Sequence, residues 1–173
     1  ALFLGCAVCL VRLSKIIPLK FVASAYVEII RGVPLLLQLL LIYCLLGPTR
    51  ISLGGFFTTE VISCILTLFI TSSAYVSEIF RSGIQAVDKG QMEAGRALGM
   101  SNWQVMRKII LPQGIKNSLP SIGNELIMII KETSLAVSVD ASIGELMSVR
   151  KNITGATYIN LPPYIIVAII YFI

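Results

Sequence analysis

Apolar residues in this chain fall in long unbroken runs, without the alternation of a half-buried strand. Five runs stand out: 1–11, about 25–46, about 57–80, about 119–139, and 163 to the end. A helix needs roughly 20 apolar residues to cross a hydrocarbon core. In hydrocarbon only helices or closed barrels satisfy every backbone polar group, and barrel strands alternate with period two. The runs therefore predict an all-α fold, a polytopic transmembrane helix bundle of about five spans forming a single domain over 1–173. The first and last runs are short, which predicts a piece of a longer protein. No initiator Met or charged stretch precedes the first run, so it does not read as a signal peptide.

Charge orients the spans. The first connection, counted to the foot of the second span, holds Arg12, Lys15, Lys20 and Arg31. The third holds Arg81, Lys89, Arg96, Arg107, Lys108 and Lys116. The second and fourth hold only Arg50, Arg150 and Lys151. This basic excess on alternate connections predicts that the first and third lie in the cytoplasm.

Composition narrows the class. Charged residues make up 13% of the chain, about half the share in a soluble domain, roughly 25%. The net charge of +5 does not point to nucleic acid, because the basic residues are not clustered beside base-stacking aromatics. There is no His, which excludes His-based acid–base chemistry. Cys6-Ala-Val-Cys9 has the spacing of a redox or metal pair, but no second pair accompanies it. With Cys44 and Cys64 these read as small packing residues, and no metal site is expected.

One polar insert, about 87–112, interrupts the apolar pattern. Asp88 and Gln91 have capping-box spacing, predicting a helix from Asp88 to Leu98. Gly99 fits the left-handed position that ends helices. Ser101 and Gln104 repeat the capping pattern, predicting a second helix that Pro112 stops. Trp103, Met106, Ile109 and Ile110 form its apolar stripe, suited to packing on the end of the bundle. The first helix offers small residues, Ala94, Gly95 and Ala97, beside Met92, Leu98 and a lone acid, Glu93. That surface suits close approach by another protein. It equally suits an ordinary loop helix in which Glu93 pairs with Arg96.

Glu93-Ala94, then Gly99, then Ile109, Leu111 and Pro112 resemble the EAA motif of ATP-binding-cassette importer permeases, with Gly95 where a third Ala is usual. "AYVEIIRGVPLLLQLLLIY" from Ala25, "SAYVSEIFRSGIQAVDKGQMEAGRALGMS" from Ser73 and "KETSLA" from Lys131 resemble the polar amino-acid branch of that family. The resemblance implies that Glu93, Ala94, Gly95, Ala97 and Gly99 belong to a coupling helix seated in a cleft of a cytoplasmic ATPase. It implies a bacterial inner-membrane location, a solute-binding protein outside, a second permease subunit (identical or not) and an amino-acid substrate. The sequence has no GxxxxGK[ST] phosphate loop. ATP and Mg are therefore expected on the ATPase partner, with no cofactor in this chain and no enzymatic activity of its own.

Polar residues inside the apolar runs are candidates for the pathway, since intramembrane charges are costly and mark function. Glu125, Met128 and Glu132 share one helix face, with Asn124 and Lys131 on a neighbouring strip. Lys131 or Glu132 could meet the charged ends of an amino acid, or pair locally and hold helices in register. Ser73, with Thr71, Ser72 and Tyr75, suits close helix packing or the pathway. Gln38 suits a bond across helices or the pathway. Glu28–Arg31 and Glu78–Arg81, each three apart, read as structural ion pairs. Gly32-Val-Pro34 should break the second span near its start. Ser142 and Glu145 have capping-box spacing, predicting a short amphipathic helix at the outer surface, where the family receives its binding protein. Three readings stay open: an ATP-driven importer permease for amino acids or another small solute, a channel or secondary carrier needing no ATPase, and a membrane scaffold.

Overall fold

The computed structural model describes residues 1–14, 16–49, 57–139 and 144–172. Every regular element among them is helical. In chain order they are α1 (Leu2–Leu13), α2 (Ile17–Gly32), α3 (Leu35–Leu46), α4 (Thr59–Gln85), α5 (Lys89–Ala97), α6 (Asn102–Val105), α7 (Leu111–Glu132), α8 (Leu146–Thr157) and α9 (Leu161–Phe172). Lys15, Arg50, Ser142 and Ile173 lie outside the described residues.

The observed boundaries depart from the apolar runs where polar residues join a helix. The second run is not one continuous helix over 25–46. Its helix, α2, starts at Ile17 and takes in Lys20, because Pro18 is tolerated in a first turn. It ends at Gly32, where Val33 precedes Pro34 and is pushed out of helical geometry; Pro34 then caps α3. The fourth run starts earlier than 119, since α7 begins at Leu111, and it ends at Glu132 in a tighter 3₁₀ stretch, Thr133–Ser138. Among the described residues, α4 alone is long and apolar enough to cross a membrane. The bent pair formed by α2 and Leu35–Thr49 qualifies as a second crossing if it is one span, and α1 and α9 are shorter apolar helices. Many large apolar side chains nevertheless face outward, among them Phe3, Phe21, Val22, Ile29, Leu45, Ile65, Ile130 and Ile166. Apolar exposure on that scale marks a lipid or protein partner.

The chain divides into two compact units, 1–32 with 70–127, and 33–69 with 128–173. In the first, α1 packs on α2. Tyr26 of α2 reaches α4 through its hydroxyl, 2.6 Å from Ser73 Oγ and donating to the Ile70 carbonyl at 3.0 Å. Glu78 on α4 gathers Arg12 of α1 at 2.7 Å, Arg31 of α2 at 3.9 Å and Arg81 of α4. The α4–α7 crossing is tight. A Cβ on Gly114 would lie 2.9 Å from Ile84 Cα, so only hydrogen fits there. Ser118 fills the next turn, donating to the Gly114 and Ile79 carbonyls.

In the second unit, buried side chains include Leu39, Val61, Thr67, Ala136 and Val167. Here α8 packs on α9, with the Arg150 guanidinium 4.3 Å from the Tyr164 ring centre. The short helix expected after Ser142 exists, but Glu145 is its N-cap and not its third residue. The Glu145 carboxylate accepts from the Met147 and Ser148 amides at 2.8 and 2.7 Å.

Candidate functional site

The insert between α4 and α7 is built from local signals. Asp88 caps α5 and accepts from the Gly90 amide at 2.6 Å. The expected reciprocal bond from Gln91 is not made. Gln91 instead accepts from Gln113 at 3.3 Å, which ties α5 to the start of α7. At the other end of α5, the Met100 amide donates to the Gly95 carbonyl and the Gly99 amide to the Arg96 carbonyl. This pair of bonds closes a Schellman turn, and Gly99 supplies its left-handed residue at φ 79°. Ser101 and Gln104 make both halves of their capping box. Arg96 also fastens the turn, donating to Asn102 Oδ1 at 2.6 Å. The alternative in which Glu93 pairs with Arg96 is not observed, and Glu93 has no ion pair among the described residues.

Gly95 does not belong to the exposed surface with the other small residues. It is buried, and a Cβ there would sit 2.6 Å from Val105 Cγ2. What remains exposed is Glu93, Ala94, Ala97 and Leu98 on α5 and its cap, with Gly99 beside them. Leu98 is 81% exposed.

The apolar stripe of the second helix is also redrawn. Trp103 is 69% exposed, and the side chain that seats the helix is Val105, fully buried. Val105 joins Cys9, Ile84 and Ile110 in one cluster, with Met106 and Ile109 packed against it. Stripe spacing does not pick out Val105. Gly95 is the signal that could have found it, since a notch on one helix needs something to fill it.

Pro112 does not stop the chain. After α6, Met106–Ile110 winds as a π turn and runs directly into α7, the Leu111 amide donating to the Met106 carbonyl. An interior proline clashes with the carbonyl four residues back, here Lys108. The wider turn moves that carbonyl away, so the helix passes through Pro112.

The intramembrane candidates fall in separate units. In the first, Ser73 is fully buried and bonded to Tyr26 and to the Ile70 carbonyl, and Glu125 is half-buried on α7. In the second, Gln38 is buried and donates to the Val33 carbonyl at 2.7 Å, so at least one of its bonds closes its own turn and does not cross helices. Lys131 is exposed. Glu132 lines a narrow pocket with Leu35, Leu39, Cys64, Thr67, Leu68, Thr133 and Ala136. Glu78 and Arg81 pair as expected. Glu28 and Arg31 do not. Arg31 turns to Glu78 and lies over Tyr75 at 5.3 Å, leaving Glu28 exposed.

Residues 3–173 match the family described as binding-protein-dependent transport system inner membrane component. The arginine transport system permease protein ArtQ of Bacillus subtilis is 38% identical over 99% of this chain and 76% of its own. The nopaline transport system permease protein NocM of Agrobacterium fabrum is 41% identical over 95% of this chain and 69% of its own. A crystal structure of an amino acid ABC transporter with histidines superposes with a TM-score of 0.88 at 46% identity, covering 99% of this chain and 77% of that one. This chain thus belongs to the family of inner membrane components of binding-protein-dependent transport systems.

Proposed function

We propose that the chain is the membrane-spanning permease subunit of an ATP-driven importer for polar amino acids, with α5 and α6 as the cytoplasmic coupling insert. The observation that carries this is the build of the insert. Its caps, Schellman turn and Val105 anchor make it rigid, while Glu93, Ala94, Ala97 and Leu98 are left facing outward. Small side chains permit close approach, an apolar tip gives affinity, and a single acid gives register. That its relatives are permeases for arginine, for nopaline and for amino acids at large supports the substrate class.

The mechanism follows from the connections. ATP and Mg are bound by a separate pair of ATPase subunits, whose closure moves the insert. Because the π turn joins α6 to α7 without a gap, displacement of α5 and α6 is passed along α7 toward Glu125, Lys131 and Glu132. A binding protein delivers the amino acid to the outward-open spans, and the transmitted motion opens them inward. About five spans from this chain, as a single domain, would pair with those of a second permease subunit to enclose the path.

Glu93→Lys tests the reading. The variant should insert normally yet lose the ATPase on detergent purification, and cysteines at Ala94 or Ala97 should crosslink to it. Undiminished ATPase recovery with Glu93→Lys, or uptake driven by an ion gradient without ATP, would remove the coupling role.

A further inference from the structure

Between α1, α2 and α4, in the first unit, lies a polar pocket lined by Arg12, Leu13, Lys20, Ser24, Arg81 and Gln85. Three of its six walls are cations. Among the described residues the only carboxylate bound to them is Glu78, which is already shared by Arg12, Arg31 and Arg81. Arg81 is well supplied, bonded to both Glu78 oxygens and to Gln85 at 2.6 Å. Arg12 is not. Its side chain is 10% exposed, it gives a hydrogen bond to Glu78 through Nη1, and its buried Nε has no acceptor. Lys20 has no carboxylate partner among the described residues. Arg12, with one bond to a shared carboxylate and an unmet buried donor, stands beside the exposed ammonium of Lys20 and the Ser24 hydroxyl, so the pocket carries more positive charge than Glu78 offsets.

We infer that this pocket binds a phosphate group, with Lys20 and Arg12 supplying charge and Ser24 a hydroxyl donor. None of the residues lining the pocket belongs to α5 or α7. The phosphate has two possible sources, an anionic phospholipid headgroup or free phosphate in solution. Basic pockets between membrane helices suit the first.

The test uses the full-length transporter with its partners, reconstituted in nanodiscs of phosphatidylcholine with phosphatidylglycerol added. Native mass spectrometry after extraction counts phosphatidylglycerol retained per complex, with and without millimolar inorganic phosphate. The wild type should retain the anionic lipid selectively. Lys20→Gln, a substitution of an exposed side chain that spares folding, should lower its affinity about fivefold. Lys151→Gln, exposed in the other unit, should not. Phosphate adducts that displace the lipid from the wild type, and that weaken in Lys20→Gln, would assign the site to free phosphate. Equal retention of both lipids with no phosphate adduct, or binding of either unchanged in Lys20→Gln, would overturn the inference.

Discussion

At the scale of single residues, Gly95 shows most clearly how packing and surface compete for the same small side chain. Alanine there would gain helix propensity but drive its Cβ into Val105, a β-branched side chain with one stiff rotamer. Gly95→Ala should therefore cost about 1 kcal/mol net in the wild type. In a Val105→Ala background the same change should cost less or become favourable, which a thermal double-mutant cycle on the purified complex would reveal. Additive effects would mean the two side chains do not meet. The sequence does not separate Gly95 from Ala94 and Ala97, because a small residue in an exposed-looking helix reads alike as notch or as face. Long-range pairing hides other residues. Spacing alone matches Arg31 with Glu28, whereas its partners Glu78 and Tyr75 come from another helix.

At the scale of elements, caps are legible and continuity is not. Asp88, Gly99 and the Ser101–Gln104 box sit where their side-chain chemistry puts them, since each acts within one turn. Ser101→Ala should lose the box and cost about 1 kcal/mol. Hydrogen exchange at the amides of 103–105 should then quicken while α5 stays protected; an unchanged pattern would show that Val105 alone holds α6. The passage of the helix through Pro112 is hidden, because a proline signals a stop unless the preceding turn widens, and no residue type announces that widening. The end of α7 bears on substrate. If Glu132 holds a charged group of the amino acid, Glu132→Ala should raise half-saturating substrate about tenfold, the scale of a charged hydrogen bond, with the complex intact. An unaltered uptake curve would leave Glu132 a lining residue of its pocket.

At the scale of the whole molecule, composition and run length suffice for an all-helical chain, but they overstate the regularity of its spans, since bends and half-length helices share the same apolar content. The Glu78 cluster ties three helices of the first unit, holding α1, α2 and α4 at one carboxylate. Glu78→Gln would strand Arg12 unpaired and should destabilise by about 3 kcal/mol, seen as a lower melting temperature in detergent. Arg12→Met in the same background should recover part of it, and no recovery would mean that the stranded charge is not the cause. The π turn at Met106–Ile110 has a consequence for the rotation of α7 about its axis. One surplus residue in a helix offsets everything after it by about 100°. Sliding that surplus a single position would therefore turn only the residue it passes by about 100°, leaving the phase of the helix on either side unchanged.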